Sequence, residues 1–201
     1  MVMAIALLGS GCEPRIEEPL PPPKIASKPA TARASSAHET SPAPACLRPT
    51  PAVATRQITT PVPDPRCPKD PLDAPPKLRM GKVTFEGAPS FTAEVEIAET
   101  EETRERGLMF RRSMAEDHGM IFAFDRPRHN QFWMHNTCIP LDMLFIAEDG
   151  TIVGIEENVP TMDDSTFEVG CPSSFVLELN AGTTRKHGIA AGQKVHLDGV
   201  R

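Results

Sequence analysis

The stretch 141–159, "LDMLFIAEDGTIVGIEENV", decides how the rest of the chain is read. Two apolar runs flank Asp149-Gly150, a dipeptide that supplies the positive φ a tight turn needs. Apolar runs of this length around such a turn predict two antiparallel strands joined as a hairpin. Side chains alternate along a strand, so Met143 and Phe145 share one face, and Asp142, Leu144 and Ile146 the other. Asp142 is thus a carboxylate in apolar company, and such a group must be paired or protonated.

Working outward, further runs repeat the pattern. "KLRMGKVTFEGAPSFTAEVEIAET" predicts two strands around a turn at Gly87–Ser90, with Phe91, Ala93, Val95 and Ile97 alternating with polar residues in the second. "GMIFAFD", "NQFWMHN", "SFVLELN" and "QKVHLD" also read as strands. Thr100 before Glu101 and Glu102, with Gly107 after them, predicts a short helix over roughly 100–107. "AGTTRKHGI" can hold one helical turn. Short strands punctuated by turns every ten residues or so, with one or two short helices, imply a mainly β fold, a small β-sandwich or jelly-roll-like barrel.

Composition separates this part from what precedes it. Of 22 prolines, seventeen fall between Glu13 and Pro76. Pro, Ala, Ser and Thr dominate there without apolar periodicity, so 12–76 reads as a disordered, partly stiff tether, and 77–201 as one β-rich domain. Residues 77–201 carry thirteen Lys/Arg against twenty Asp/Glu. Such acidity repels phosphates and disfavours nucleic acid as a partner. At the start, Val2–Leu8 is apolar, followed by Gly9, Ser10, Gly11 and Cys12. This order resembles a bacterial lipoprotein signal, with 1–11 as signal peptide and Cys12 as the lipidated residue. Export to the periplasmic side of a membrane or to the outer membrane, with lipid anchoring there, would follow. No Lys or Arg precedes the apolar run, which predicts a start codon farther upstream. If Cys12 carries lipid, Cys46, Cys67, Cys138 and Cys171 remain, and the expected pairs are Cys46–Cys67 and Cys138–Cys171.

Three blocks, "RGLMFRRSMAEDHGMIFAF", "FWMHNTCIPLDMLFIAEDGTIVGI" and "VLELNAG", resemble in order and spacing the domain of unknown function 192 family, over about residues 80–198. The resemblance implies a compact β-rich domain, often exported, and no settled activity. Members usually carry Lys where this chain has His135, so a role needing a permanent positive charge there is not carried over.

The polar groups of the second block admit three readings. Asp142 can simply pin a turn by accepting backbone or arginine hydrogen bonds. Alternatively Arg106, Trp133, His135, Asn136, Thr137 and Asp142 line a groove, in which an aromatic plate beside polar groups suits a small polar or glycan-like ligand. Here Arg106, Arg111, Asn136 and Thr137 are the candidate partners of Asp142. Third, Asp142 and His135 act as general acid and base of a small hydrolase. No nucleophile elbow or phosphate-binding glycine loop accompanies them. The histidines lack metal-chelating spacing, so neither metal nor cofactor is expected. The reading adopted from the residues is a monomeric, non-catalytic domain that binds a small polar ligand or an envelope partner. The alternatives are the hydrolase and a structural envelope component without a ligand site.

Overall fold

The computed structural model describes residues 46–72, 75–87 and 91–200. Cys12 and the signal-like stretch 1–11 lie outside the described residues. In chain order the elements are β1 (Arg79–Phe85), β2 (Thr92–Ala98), α1 (Glu101–Arg106), β3 (His118–Arg128), β4 (Leu141–Ile146), β5 (Ile152–Val159), β6 (Ser173–Asn180), α2 (Thr183–Lys186) and β7 (Val195–Asp198). The strands form one curled sheet, a half-barrel, in the order β5-β4-β6-β3-β2-β1-β7. All pairs are antiparallel except β2 with β3. The fold is mainly β, as the alternation predicts.

The β4–β5 hairpin forms around Asp149-Gly150. Gly150 has φ +83°, and a Cβ there would lie 2.5 Å from the Val195 carbonyl oxygen. The position admits only glycine, and the reason is long-range. The hairpin tip docks on the start of β7, where Val195 donates to the Gly150 carbonyl at 2.9 Å and Ile152 donates to that of Gln193 at 2.9 Å. The curl thereby brings the two edges of the sheet together at one end.

Both faces of the sheet are buried. Inside the curl pack Val83, Val95, Ile121, Leu144, Leu177 and Leu179 with their neighbours. On the outer face pack Met120, Phe122, Leu141, Met143, Phe145 and Val176, covered by the connections between strands. This is why β4 is buried at all six positions: a strand covered on both sides reads as a continuous apolar run.

One predicted strand does not form. Residues 130–136 run as a loop with a single bridge, Phe132 to Phe167. Asn136 takes φ +52°, which turns the chain before Pro140. Alternation survives locally even so: Gln131 and Trp133 are exposed, whereas Met134 is buried.

The expected tether also needs correction for residues 46–72, which are strapped to the domain. Cys46 is bonded to Cys171 and Cys67 to Cys138, so the four cysteines pair between strap and domain and not within each. Arg48 donates its N–H to the Val153 carbonyl at 2.8 Å, and Arg48 and Arg56 both pair with the buried Glu156 of β5. Asp64, also buried, accepts hydrogen bonds from Arg66 and the Thr161 hydroxyl. The Arg66 guanidinium, followed by Thr161, holds the Asp64 carboxyl well below the usual carboxylate range. This contribution to stability is present above the ordinary carboxylate pKa and is lost as pH falls toward the lowered one. The strap succeeds without a large apolar face because covalent links and ion pairs replace one. It also covers the outer edge of β5, which would otherwise present unpaired backbone groups.

Candidate functional site

The three sequence blocks converge on one cleft on the outer face of the sheet. α1 supplies one wall. Its capping box, with Thr100 accepting from the Thr103 amide at 3.2 Å and Thr103 accepting from the Thr100 amide at 3.0 Å, fixes where the helix starts. Gly107 ends it at φ +49°, where a Cβ would come within 3.2 Å of the Phe122 ring. The absence of a side chain lets the end of α1 close down on β3. The loop before β4 forms the opposite wall, clasped to the first by the Phe110 amide donating to the Asn136 carbonyl at 2.8 Å.

The open part of the cleft encloses about 510 Å³ and is lined by Arg104, Phe122, Phe124, Arg128, Phe132 and Trp133, among others. Phe122 and Phe132 meet edge to face at 4.8 Å. The Arg128 and Arg104 guanidinium groups lie over the Phe124 ring at 4.2 and 5.3 Å. Trp133, the only tryptophan of the chain, is 52 % exposed at the rim and stacks on the His135 ring at 4.9 Å. Below it the cleft narrows to a recess of about 30 Å³ between α1 and the Trp133–Thr137 loop. At the recess lies Glu178 of β6, only 4 % exposed. Burial alone pushes its carboxyl up from 4.5 to about 8.

Of the expected site residues, Arg106, Trp133 and Thr137 line the recess. Arg106 also pairs with Asp70 of the strap. His135 supports Trp133 from behind, and its Nδ1 lies 2.7 Å from Asp164. Asn136 contributes its backbone turn and carbonyl. Asp142 does not belong to the site. In the β4–β6 register Met143 lies opposite Glu178 and Asp142 opposite Leu179. Asp142 therefore points to the inner face, and the cleft is on the other.

There Asp142 accepts from the Asn158 amide at 2.9 Å, the Thr184 amide at 2.9 Å and the Thr184 hydroxyl at 2.7 Å. Burial raises its pKa, and these hydrogen bonds oppose the rise. The expected partners are engaged elsewhere: Arg111 binds Glu96 of β2, and Arg106 binds Asp70. An acid–base pair of Asp142 and His135 is thus not assembled. Asp142 ties the end of β5 to α2. Asp142→Asn is expected to cost about 2 kcal/mol, because an amide presents an N–H to donors that need an acceptor. Urea unfolding would measure the loss, and binding at the cleft should be unchanged.

The residues missed by the sequence reading are Glu178, Phe122, Phe132, Arg104 and Glu105. Glu178 had a visible signal, a lone carboxylate between two leucines in an apolar run. Among the described residues no group of three or more His, Cys, Asp or Glu is placed to hold a metal ion. No described helix is long and apolar enough to cross a membrane.

Comparison with known proteins agrees with this architecture. Residues 82–197 match the model of the DUF192 family, described as an uncharacterized ACR. A protein from Sinorhizobium meliloti 1021, described as a "putative transcription regulator", shares 40 % identity with a TM-score of 0.60, and the match covers 62 % of this chain and 98 % of that one. A protein of unknown function from Novosphingobium aromaticivorans DSM 12444 shares 33 % identity with a TM-score of 0.58, covering 64 % of this chain and 91 % of that one. No curated protein matches.

Proposed function

Since the chain belongs to the DUF192 family, whose activity is uncharacterised, we propose its function from the cleft: a non-catalytic binding domain for a small polar or glycan-like ligand. The observation that carries this reading is the convergence of all three blocks on one aromatic-lined cleft, with the lone tryptophan half exposed at its rim. An exposed indole is a poor contribution to a core and a good platform for a sugar ring, whose C–H face packs on it while hydroxyls reach the polar rim. Gln131, Arg128 and Glu105 supply donors and acceptors there. Direct binding of nucleic acid finds no support in the charge of residues 77–201, thirteen Lys/Arg against twenty Asp/Glu.

The test is a thermal-shift and Trp fluorescence screen of the full chain against sugars and cell-wall fragments. Trp133→Ala is expected to change stability by about 0.5 kcal/mol or less, as at other exposed sites, and to abolish binding. A Trp133→Ala protein that loses most of its stability instead would favour a purely structural role.

We also read the domain as displayed at a bacterial envelope, lipid-anchored through Cys12. Two disulfides support an oxidising compartment. Intact mass of membrane-extracted protein tests it, and an unmodified Cys12 would refute it.

A further inference from the structure

We propose that the recess beneath Trp133 takes a protonated amine, anchored by the Glu178 carboxyl and enclosed by Phe122, Phe132 and Trp133. The proposal rests on the cleft being a ligand site and names the charge of its ligand.

The first observation is an unmet partner. Glu178 is 96 % buried, yet its carboxyl makes no hydrogen bond or ion pair with any described residue. Buried polar groups in folded proteins are nearly always hydrogen-bonded, so an exception needs a cause. The protein had the means to pair it, since Arg104 and Arg106 line the same recess. Both guanidiniums are held away. Arg104 donates to the carbonyls of Glu99 and Ala123 at 2.6 and 3.0 Å, and Arg106 pairs with Asp70. The donor position in front of Glu178 is thus left for a group that comes from outside.

The second observation is the shape and chemistry of that position. The recess, about 30 Å³, admits one small head group and opens into the 510 Å³ cleft, which can hold a ring. Its walls are the Phe122, Phe132 and Trp133 rings, whose π faces attract cations. Met120 and Met143, opposite Glu178 on β3 and β4, add no charge. The charged groups facing Glu178 are Arg104, Glu105 and Arg106 of the α1 wall. Both arginines are neutralised or capped as described, and Glu105 is exposed without a partner. The Trp133–Thr137 loop contributes no charged group to the recess.

An ammonium group therefore meets an uncompensated carboxyl, aromatic faces and a free carboxylate at the rim. The raised pKa of Glu178 agrees with the missing partner. Near neutral pH the empty site holds a neutral acid, and a cationic ligand drives its proton off. A neutral hydroxyl in the same place would gain only an ordinary hydrogen bond, about half as strong as a charge-assisted one.

Trp133, as the only tryptophan, makes the experiment direct. The full chain is titrated by Trp fluorescence and calorimetry with two matched pairs, glucosamine against glucose and cyclohexylamine against cyclohexanol. The amine of at least one pair is expected to bind about tenfold or more tightly than its neutral counterpart. Affinity for cyclohexylamine, which stays protonated throughout, should rise from about pH 6 to about pH 8. Binding at neutral pH should release a proton, read as a dependence of binding heat on buffer. Glu178→Gln should erase the preference for the amine and leave the response to the neutral counterpart. If amine and neutral ligands bind alike, or the preference survives in Glu178→Gln, the proposal fails and the cleft reading stands. If none of the four compounds changes the Trp133 signal, both fail.

Discussion

Glu178→Gln is expected to stabilise the protein at neutral pH, by about 3 kcal/mol near pH 7. The reason is linkage. Burial lifts the folded-state pKa of Glu178 from 4.5 to about 8. Between those values the unfolded chain has released the proton and the folded chain still holds it. Stability therefore falls as pH rises through this window, and the full penalty is reached above the raised pKa. Glutamine is nearly the shape of the neutral acid and has no proton to lose, so it escapes the penalty. Near pH 4, where the acid is largely neutral in both states, variant and wild type should be almost equally stable. Urea unfolding at the two pH values measures the difference. A gain at pH 7 that disappears at low pH identifies a carboxyl held in place against folding stability, as expected of a group kept for a ligand. A variant less stable than wild type at pH 7 would mean that the carboxylate has a partner and that the recess is not vacant.

The same residue marks the limit of what the sequence disclosed. The strands other than 130–136 were legible because burial of one or both faces writes period-two or continuous apolar patterns that need no knowledge of partners. α1 was legible from its cap, Thr100, and its terminal Gly107. Trp133, Thr137 and Arg106 were placed in the site by their types and by their positions within ordered blocks. Equally local reasons group Asp142 with them, yet the structure turns it to the opposite face, because the face it occupies depends on which side of the sheet the connecting loops cover. Strand alternation says that Asp142 and Met143 point apart. Only the β4–β6 register, with Met143 beside Glu178, says which of them shares a face with the tryptophan. The position of Glu178 between Leu177 and Leu179 marks it as a carboxylate in an apolar run, but its importance lies in a missing partner, which no sequence records.

The strap was illegible for another reason. A proline-rich segment without apolar periodicity lacks the means to pay its chain entropy by burial, and on that ground it reads as free. What holds residues 46–72 are contacts distant in sequence: Arg48 and Arg56 on Glu156, and two cystines spanning 125 and 71 residues. Cysteine spacing does not disclose connectivity, so neighbouring cysteines were the natural pairing and the wrong one.

Removing the Cys67–Cys138 bond should have one of the larger effects on stability of any change in the molecule. In the chain-entropy picture a cross-link spanning 71 residues stabilises the fold by about 4 kcal/mol. Here the bond also anchors the stretch from Asp64 to Asp70, whose side chains engage Thr161 at one end and Arg106 at the other. Cys67→Ser combined with Cys138→Ala is therefore expected to lower Tm by about 10 °C. Reductant should lower the wild-type Tm at least as far and leave that of a variant lacking all four cysteines unchanged. The consequence for the cleft follows from position. Cys138 directly follows Thr137 at the recess, and freeing Asp70 releases Arg106, one of the two guanidiniums held away from Glu178. Arg106 is then able to swing toward the buried carboxyl and compete with an incoming amine. Amine affinity should accordingly weaken in the double variant and recover when Arg106→Gln is added. Loss of the Cys46–Cys171 bond, which ties the other end of the strap, should reduce stability without changing amine affinity. Equal effects of the two bonds on affinity would show that the strap acts only through stability, and an unchanged Tm after reduction would show that it is not pinned by its cystines.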